Sequence, residues 1–166
     1  MAAFPRVLRN MNLYVDGVSY AGKCASITLP PLSLVLEAIR NGGMDAPIGH
    51  DMGMEQMDFS AVMDSFEPEL LALFGIENTP IVARGAVKAQ GGEVEPVVVT
   101  MRGKFVSLEH GEWAPGSKAQ NTFTGNLSYL KYEQNDIQFA EIDILNMIRS
   151  FNGVDQLEAQ RAALGL

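Results

Sequence analysis

The stretch Leu32–Met63 decides the fold: LSLVLEAIRN, then GGMDAPIGHDMG, then MEQMDFSAVM. In its second half Met57, Phe59, Ala61 and Met63 share one face, while Gln56, Asp58 and Ser60 share the other. That is the period of a β-strand with one face in a core and one in water. In its first half Leu32, Leu34 and Leu36 form one face, but Val35 and Ile39 make the opposite face half apolar as well. A strand apolar on two faces needs cover on both, and a domain of this size does not readily supply it. The two runs read as a hairpin-like pair around a polar, flexible linker from Asn41 to Gly53.

Working outward, alternation recurs along most of the 166 residues. NMNLYVDGVSYAGK reads as a hairpin turning at Asp16-Gly17. Ala25 to Leu29 is stopped by Pro30-Pro31, and Ile81 to Ala89 alternates with Arg84, Lys88 and Gln90 on its polar side. Val97, Val99, Met101 and Phe105 line one face of a long run, and Phe123, Gly125, Leu127 and Tyr129 line one face of another. Many strands and few helices imply a mainly β fold, an antiparallel sandwich or barrel. FEPELLALFG, with Pro68 near its start and Gly75 past its end, is expected as a short flanking helix plugging one end of the sheets. DQLEAQRAALGL is expected as a C-terminal helix opened by an Asp155/Glu158 capping box, on the surface or against a neighbour. With no repeat and no long linker, residues 1–166 are expected to form a single domain.

Composition narrows the chemistry. Hydrophobic residues make up 47% and charged residues 19%, and no run of 18 apolar residues exists, so neither a transmembrane helix nor a membrane anchor is expected. The N-terminal residues lack the apolar stretch of a signal peptide. Cys24, the only cysteine, suits a reducing compartment and reads as a small buried or edge-strand hydrophobe. A net charge of −8, from 20 acidic and 12 basic residues without a basic cluster, argues against ordinary nucleic-acid binding. Such a charge usually means solubility, and a surface that DNA must pass without adhering would be acidic too; composition does not separate the two.

No catalytic constellation emerges. His50-Asp51 and His110-x-Glu112 are the only histidine–carboxylate neighbours, each in a Gly-rich turn and without a third ligand or nucleophile. GxSxG, P-loop, GxGxxG and HExxH patterns are missing, so no enzyme activity, metal or cofactor is expected. Five of the nine methionines fall between Met44 and Met63, where Met57 and Met63 are core filling. Trp113, in HGEWAPG, reads as a loop anchor under a sheet edge.

Several segments together resemble the major tail tube proteins of contractile-tailed phages and of R-type pyocins. They are NMNLYVDGVSYAG, ITLPPLSL, RNGGMDAPIGHDMGMEQM, PVVVTMRG with EWAPG, and FNGVDQLEAQRAALGL, spread over nearly the whole chain. The resemblance implies a tail tube fold whose copies close into a hexameric ring with an inner β-barrel, four strands from each copy, and rings that stack into a tube. It implies as partners the chain itself, a tail sheath protein, baseplate and tail terminator proteins and a tape measure protein. DNA would pass through the lumen without specific binding. The implied place is the virion tail, or a phage-tail-like particle, assembled in the bacterial host cytoplasm.

Geometry accommodates that function. Twenty-four strands spaced about 4.8 Å apart and tilted about 40° give a backbone diameter of roughly 48 Å, leaving a bore of roughly 38 Å for a duplex about 20 Å wide. Glu37, Asp58 and Asp64 are the candidate lumen-facing acidic residues. Asn41, Met44, Asp45, Pro47, His50, Asp51 and Met54 are candidates for ring-to-ring contact, and Asn152, Asp155, Leu157 and Leu164 for a C-terminal contact with the next ring or the sheath. A stand-alone β-sandwich binding module of the adhesin kind is the alternative, though one Trp and four Tyr offer few exposed aromatics for it.

Overall fold

A computed structural model describes residues 4–166. The chain runs β1 (Arg6–Val15), β2 (Val18–Ser19), β3 (Cys24–Thr28), β4 (Leu34–Ile39), β5 (Ile48–Met54), β6 (Met57–Met63) and α1 (Pro68–Ala72). It continues through β7 (Thr79–Ala89), β8 (Val94–Glu109), β9 (Asn121–Gln134), β10 (Ile137–Asp143), β11 (Ile148–Phe151), β12 (Val154–Asp155) and α2 (Glu158–Ala163). All the strand ladders are antiparallel. The mainly β reading holds.

Two long strands build both leaves of a sandwich. The first half of β9, Asn121 to Leu127, pairs with β6, which pairs with β3; its second half pairs with β10. β8 pairs with β7 up to Gly103 and runs on alone beside β9 to Glu109. One leaf is therefore β3-β6-β9-β8 and the other β2-β1-β7-β8-β9-β10-β11-β12. Their inner faces share one core, with Met57, Phe59, Met63, Phe105, Phe123 and Leu127 from the first leaf against Leu13, Ile81, Val99, Met101, Leu130 and Ile142 from the second.

The fold-over is marked by a bulge. Arg102 lies opposite Tyr129 but Gly103 lies opposite Leu127, so Ser128 is an extra residue in β9. The extra residue shifts the side-chain phase: Leu130, not Tyr129, is buried beyond it. Tyr129 thus leaves the apolar face assigned to it from alternation alone. Gly103 is required at this corner, since a Cβ there would stand 2.0 Å from the Asn126 carbonyl oxygen.

The deciding stretch forms a long bent hairpin, with different partners from those its two runs suggested. β4 pairs with β5 and β3 pairs with β6, and the Glu55 amide donates to the Ser33 carbonyl at the bend between them. The second half of the expected linker is strand, because residues 48–54 complete the ladder begun by Leu34 to Ile39. His50 consequently lies in a strand rather than a turn. The Asp16-Gly17 turn forms as expected, both residues at positive φ, and Met57 and Met63 are buried.

Three smaller readings change. α1 buries Leu70, while Leu71 and Phe74 are half exposed, so it plugs the sandwich with one side only. Leu157, not Asp155, sits at the start of α2, and no side chain caps that helix. Trp113 is 75% exposed and meets Phe66 edge-to-face at 5.6 Å instead of lying under a sheet edge.

Candidate functional site

Among the described residues no cluster of His, Cys, Asp and Glu is placed to hold a metal ion, and the distinctive features are surfaces. The outer face of the β3-β6-β9-β8 leaf is mostly polar, with Val62 of β6 an apolar exception. Across it Asp58 of β6 stands opposite Asn126 of β9, which stands opposite Lys104 of β8; Ser60, Thr124 and Ser107 form the next row. Asp58 accepts hydrogen bonds from Gln56 at 2.9 Å and Asn126 at 3.3 Å, and Lys104 pairs with Glu77 at 2.7 Å. Asp64 continues the same side of the chain just past β6. Hydrogen bonds from Gln120 and then Lys118 hold its carboxyl below the usual range. Glu37 is elsewhere, on β4 opposite His50. Two of the three candidate acidic residues thus lie on one side of the leaf, each with its own partners, and the third does not.

Among the described residues neither margin of this leaf has a further strand. β3 has a ladder partner there only in β6. On the far side, β8 from Lys104 to Glu109 has no strand beside it; the segment after α1 touches it at one point, through a bridge between Phe74 and Phe105 and the Gly75 amide on the Phe105 carbonyl.

The β4–β5 hairpin is a separate two-stranded sheet. Leu34, Val35, Leu36, Ile48 and Met52 are each more than 40% exposed, which bears out the unusual two-faced apolar pattern. Its tip holds Asn41, Met44, Asp45 and Pro47, closed by the Met44 amide on the Asn41 carbonyl at 3.2 Å and the Arg40 Nε on the Met44 carbonyl at 3.1 Å. The other three candidates lie nearer the body of the chain. His50 is exposed, Met54 packs on the core, and Asp51 binds Arg149 of β11 through both guanidinium Nη atoms, at 3.4 and 2.5 Å.

Arg149 is a buried cation, its side chain 8% exposed, with Asp51 the sole acceptor of its Nη groups among the described residues. Its backbone amide donates to Asp155, which also accepts from the Leu157 amide and pairs with Arg161 at 2.8 Å. The Asp155 carboxyl is lowered chiefly by the Leu157 amide and then by Arg161; that of Asp51 is lowered chiefly by Arg149 and then by the Gly53 amide. Arg161 also donates to the Met147 carbonyl. This chain of contacts binds the hairpin base to the C-terminal segment around a mostly apolar cleft of about 280 Å³ lined by Met54, Met57, Ile142, Met147 and Leu157. Of the C-terminal candidates, Asp155 is an internal anchor, Leu157 lines the cleft, Asn152 occupies a tight turn, and Leu164 is 64% exposed.

Sequence reasoning missed two features. Arg149 carries no motif, and only its inward phase in a four-residue strand hints at burial. On the second leaf, Arg102 stacks on Tyr129 at 4.6 Å from the ring centroid, and the Tyr129 hydroxyl donates to Glu141 at 2.9 Å. Burial first, then that carboxylate, push the phenol up to about 12.

The fold is similar to that of chains from an extracellular contractile injection system. A chain of the sheath–tube complex of an extracellular contractile injection system (PVC) in its extended state overlays with a TM-score of 0.59, over 78% of this chain and 91% of that one, at 11% identity. A chain of the extended-state sheath/tube terminator assembly overlays with a TM-score of 0.60, over 80% and 99%, also at 11% identity. At such identity the likeness is one of fold.

Sequence supplies the family. Residues 5–165 match the family described as phage tail tube protein FII, and the chain belongs to it. It is 34% identical over 171 residues to the tail tube protein of Escherichia phage P2, covering 99% of both chains. It is 32% identical over 154 residues to the major tail tube protein of Serratia phage KSP20, covering 91% of this chain and 90% of that one. This is a tail tube protein of a phage or phage-tail-like particle, and the adhesin alternative is set aside.

Proposed function

We propose that the chain acts as one structural domain whose copies close into hexameric rings, and that the rings stack into the inner tube of a contractile tail. The observation that carries this reading is the pair of open margins on the polar leaf. β3, β6, β9 and β8 alternate in direction, so β8 of one copy laid beside β3 of the next continues an antiparallel sheet. A leaf of four strands can repeat this way without reversing polarity, and closure removes edges that would otherwise invite uncontrolled pairing.

In this arrangement the polar leaf faces the bore and the core lies behind it. Asp58 and Asp64 then present carboxylates to passing DNA, and no Lys/Arg cluster offers the counterion release on which adhesion depends. Stacking of rings is a head-to-tail contact that propagates as a filament. The exposed hairpin, with Asn41, Met44, Asp45 and Pro47 at its tip, is the surface that reaches the next ring.

The wider assembly in this proposal has a sheath outside the tube, terminator and baseplate proteins at its ends, a tape measure protein within it during growth, and assembly in the bacterial cytoplasm. The role is structural, with no reaction catalysed. Negative-stain microscopy of the purified chain tests the proposal. Rings or hollow rods are expected; a monomer that stays ring-free at high concentration contradicts it.

A further inference from the structure

The chain contains two Asn-Gly steps, Asn41-Gly42 and Asn152-Gly153, and the fold treats them differently. We infer that Asn41 is a site of spontaneous succinimide-mediated deamidation, whereas Asn152 is protected by its turn. Asparagine is a thermolabile side chain, and a following glycine removes the Cβ that otherwise shields the attacking backbone nitrogen.

The reaction needs the Asn ψ angle to rotate until the next backbone nitrogen reaches the side-chain amide carbon. Asn41 is the first residue of a β-turn closed by the Met44 amide on its carbonyl, with Gly42 and Gly43 at the centre and Gly43 at φ +86. The dihedrals that define a β-turn belong to its two central residues, so the Asn41 ψ is not among them. Asn41 and Gly42 are exposed, nothing approaches the place of a Gly42 Cβ within 4 Å, and among the described residues the Gly42 amide has no hydrogen-bond acceptor. Asn152, by contrast, is the first central residue of a two-residue turn between β11 and β12, at φ +50 with Gly153 at φ +80. Rotating its ψ breaks the Phe151–Val154 pairing, and its backbone amide is held by the Phe139 carbonyl at 2.8 Å, whereas the Asn41 backbone amide meets the weaker Met44 Sδ acceptor at 3.3 Å.

At Asn41 the Gly42 nitrogen loses its proton to water and bonds to the side-chain carbonyl carbon. The bond to the side-chain nitrogen breaks and ammonia leaves. Water then opens the resulting five-membered ring at either carbonyl, giving aspartate or isoaspartate. Each event adds one carboxylate at the hairpin tip, and the isoaspartate form lengthens the main chain by one methylene.

Peptide mass spectrometry of the full chain, held unassembled in mildly alkaline buffer, tests this. Loss of Asn41 several-fold faster than loss of Asn152 is expected, with Gly42→Ala slowing it strongly. Equal rates at the two sites, or loss at Asn41 indifferent to Gly42→Ala, overturn the inference. A consequence rests on the proposed ring contact: chains altered at Asn41 are depleted from rods grown out of the aged mixture. Equal incorporation would remove the ring-contact role of Asn41 and leave the chemistry standing.

Discussion

Asp51 and Arg149, 98 residues apart in sequence, form an ion pair that fastens the projecting hairpin to the C-terminal half of the chain. The pair is asymmetric. Arg149 is nearly buried, while Asp51 retains contact with water. Removing the carboxylate strands a cation in the interior, whereas removing the cation leaves a carboxylate that water can solvate. Asp51→Asn is therefore expected to lower the urea midpoint more than Arg149→Met does, and the double variant to lose less than the sum of the two. Equal losses from the two single variants would show that burial of Arg149 is not what makes the contact matter.

The same carboxylates set the response to acid. Asp51, Asp64 and Asp155 all lie below their ordinary value of 3.8 in the folded chain. Burial pushes Glu67 up, but the Ser65 and Lys23 hydrogen bonds and the Lys23 charge together hold it below 4.5. Between each unfolded and folded value the unfolded chain binds more protons, so stability is present above about pH 4 and lost as the pH falls further. Urea midpoints should decline over that window, and Asp51→Asn should decline less steeply. At the alkaline end Tyr129, raised from 10.0 to about 12, contributes stability fully present below pH 10.0 and lost as the pH climbs through its folded value. Burial also raises the Tyr20 phenol, so ultraviolet titration should show late-ionising tyrosines, and Tyr129→Phe should remove the one at about 12 while Tyr20 stays late.

Core and assembly separate cleanly between two apolar residues. Phe59 is fully buried, and Phe59→Ala should cost about 3–5 kcal/mol of folding free energy. Leu36, 59% exposed on the hairpin, should tolerate Leu36→Asp within about 0.5 kcal/mol while rods disappear from micrographs. Rods formed normally by Leu36→Asp would exclude this face from assembly.

Charge on the polar leaf makes a further claim. In a particle that carries DNA, Asp58→Lys should slow ejection without altering tube assembly, since a cation in the bore gives phosphate a partner. Asp64→Asn should do less, its charge being already opposed by Lys118. Unchanged ejection in Asp58→Lys would count against a lumenal position.

Much of this was legible in the sequence because β alternation is a local property. Met57 to Met63 and Val97 to Phe105 declare their buried faces residue by residue, and Asp16-Gly17 declares its turn. What escaped is non-local. β5 contains Gly49, His50, Asp51 and Gly53, a composition poor in strand formers, and is strand because β4 offers it a ladder. Tyr129 departs from the alternation because one extra residue, Ser128, inverts the phase and carries no compositional mark. Arg149 could not be paired without knowing that β5 and β11 meet. Asn41 to Pro47 form the tip of the hairpin, whereas Asp51 and Met54 turn toward their own chain.

The central claim is closure of the ring through β3 and β8. Its most direct test is cysteine cross-linking in a Cys24→Ser background, with Thr28→Cys on β3 combined in turn with Lys104→Cys, Ser107→Cys or Glu109→Cys on β8. Oxidation of assembled rods is predicted to give, for at least one pairing, a covalent ladder that ends at the hexamer. Intact rods in which none of the three pairings cross-links would contradict closure through these edges.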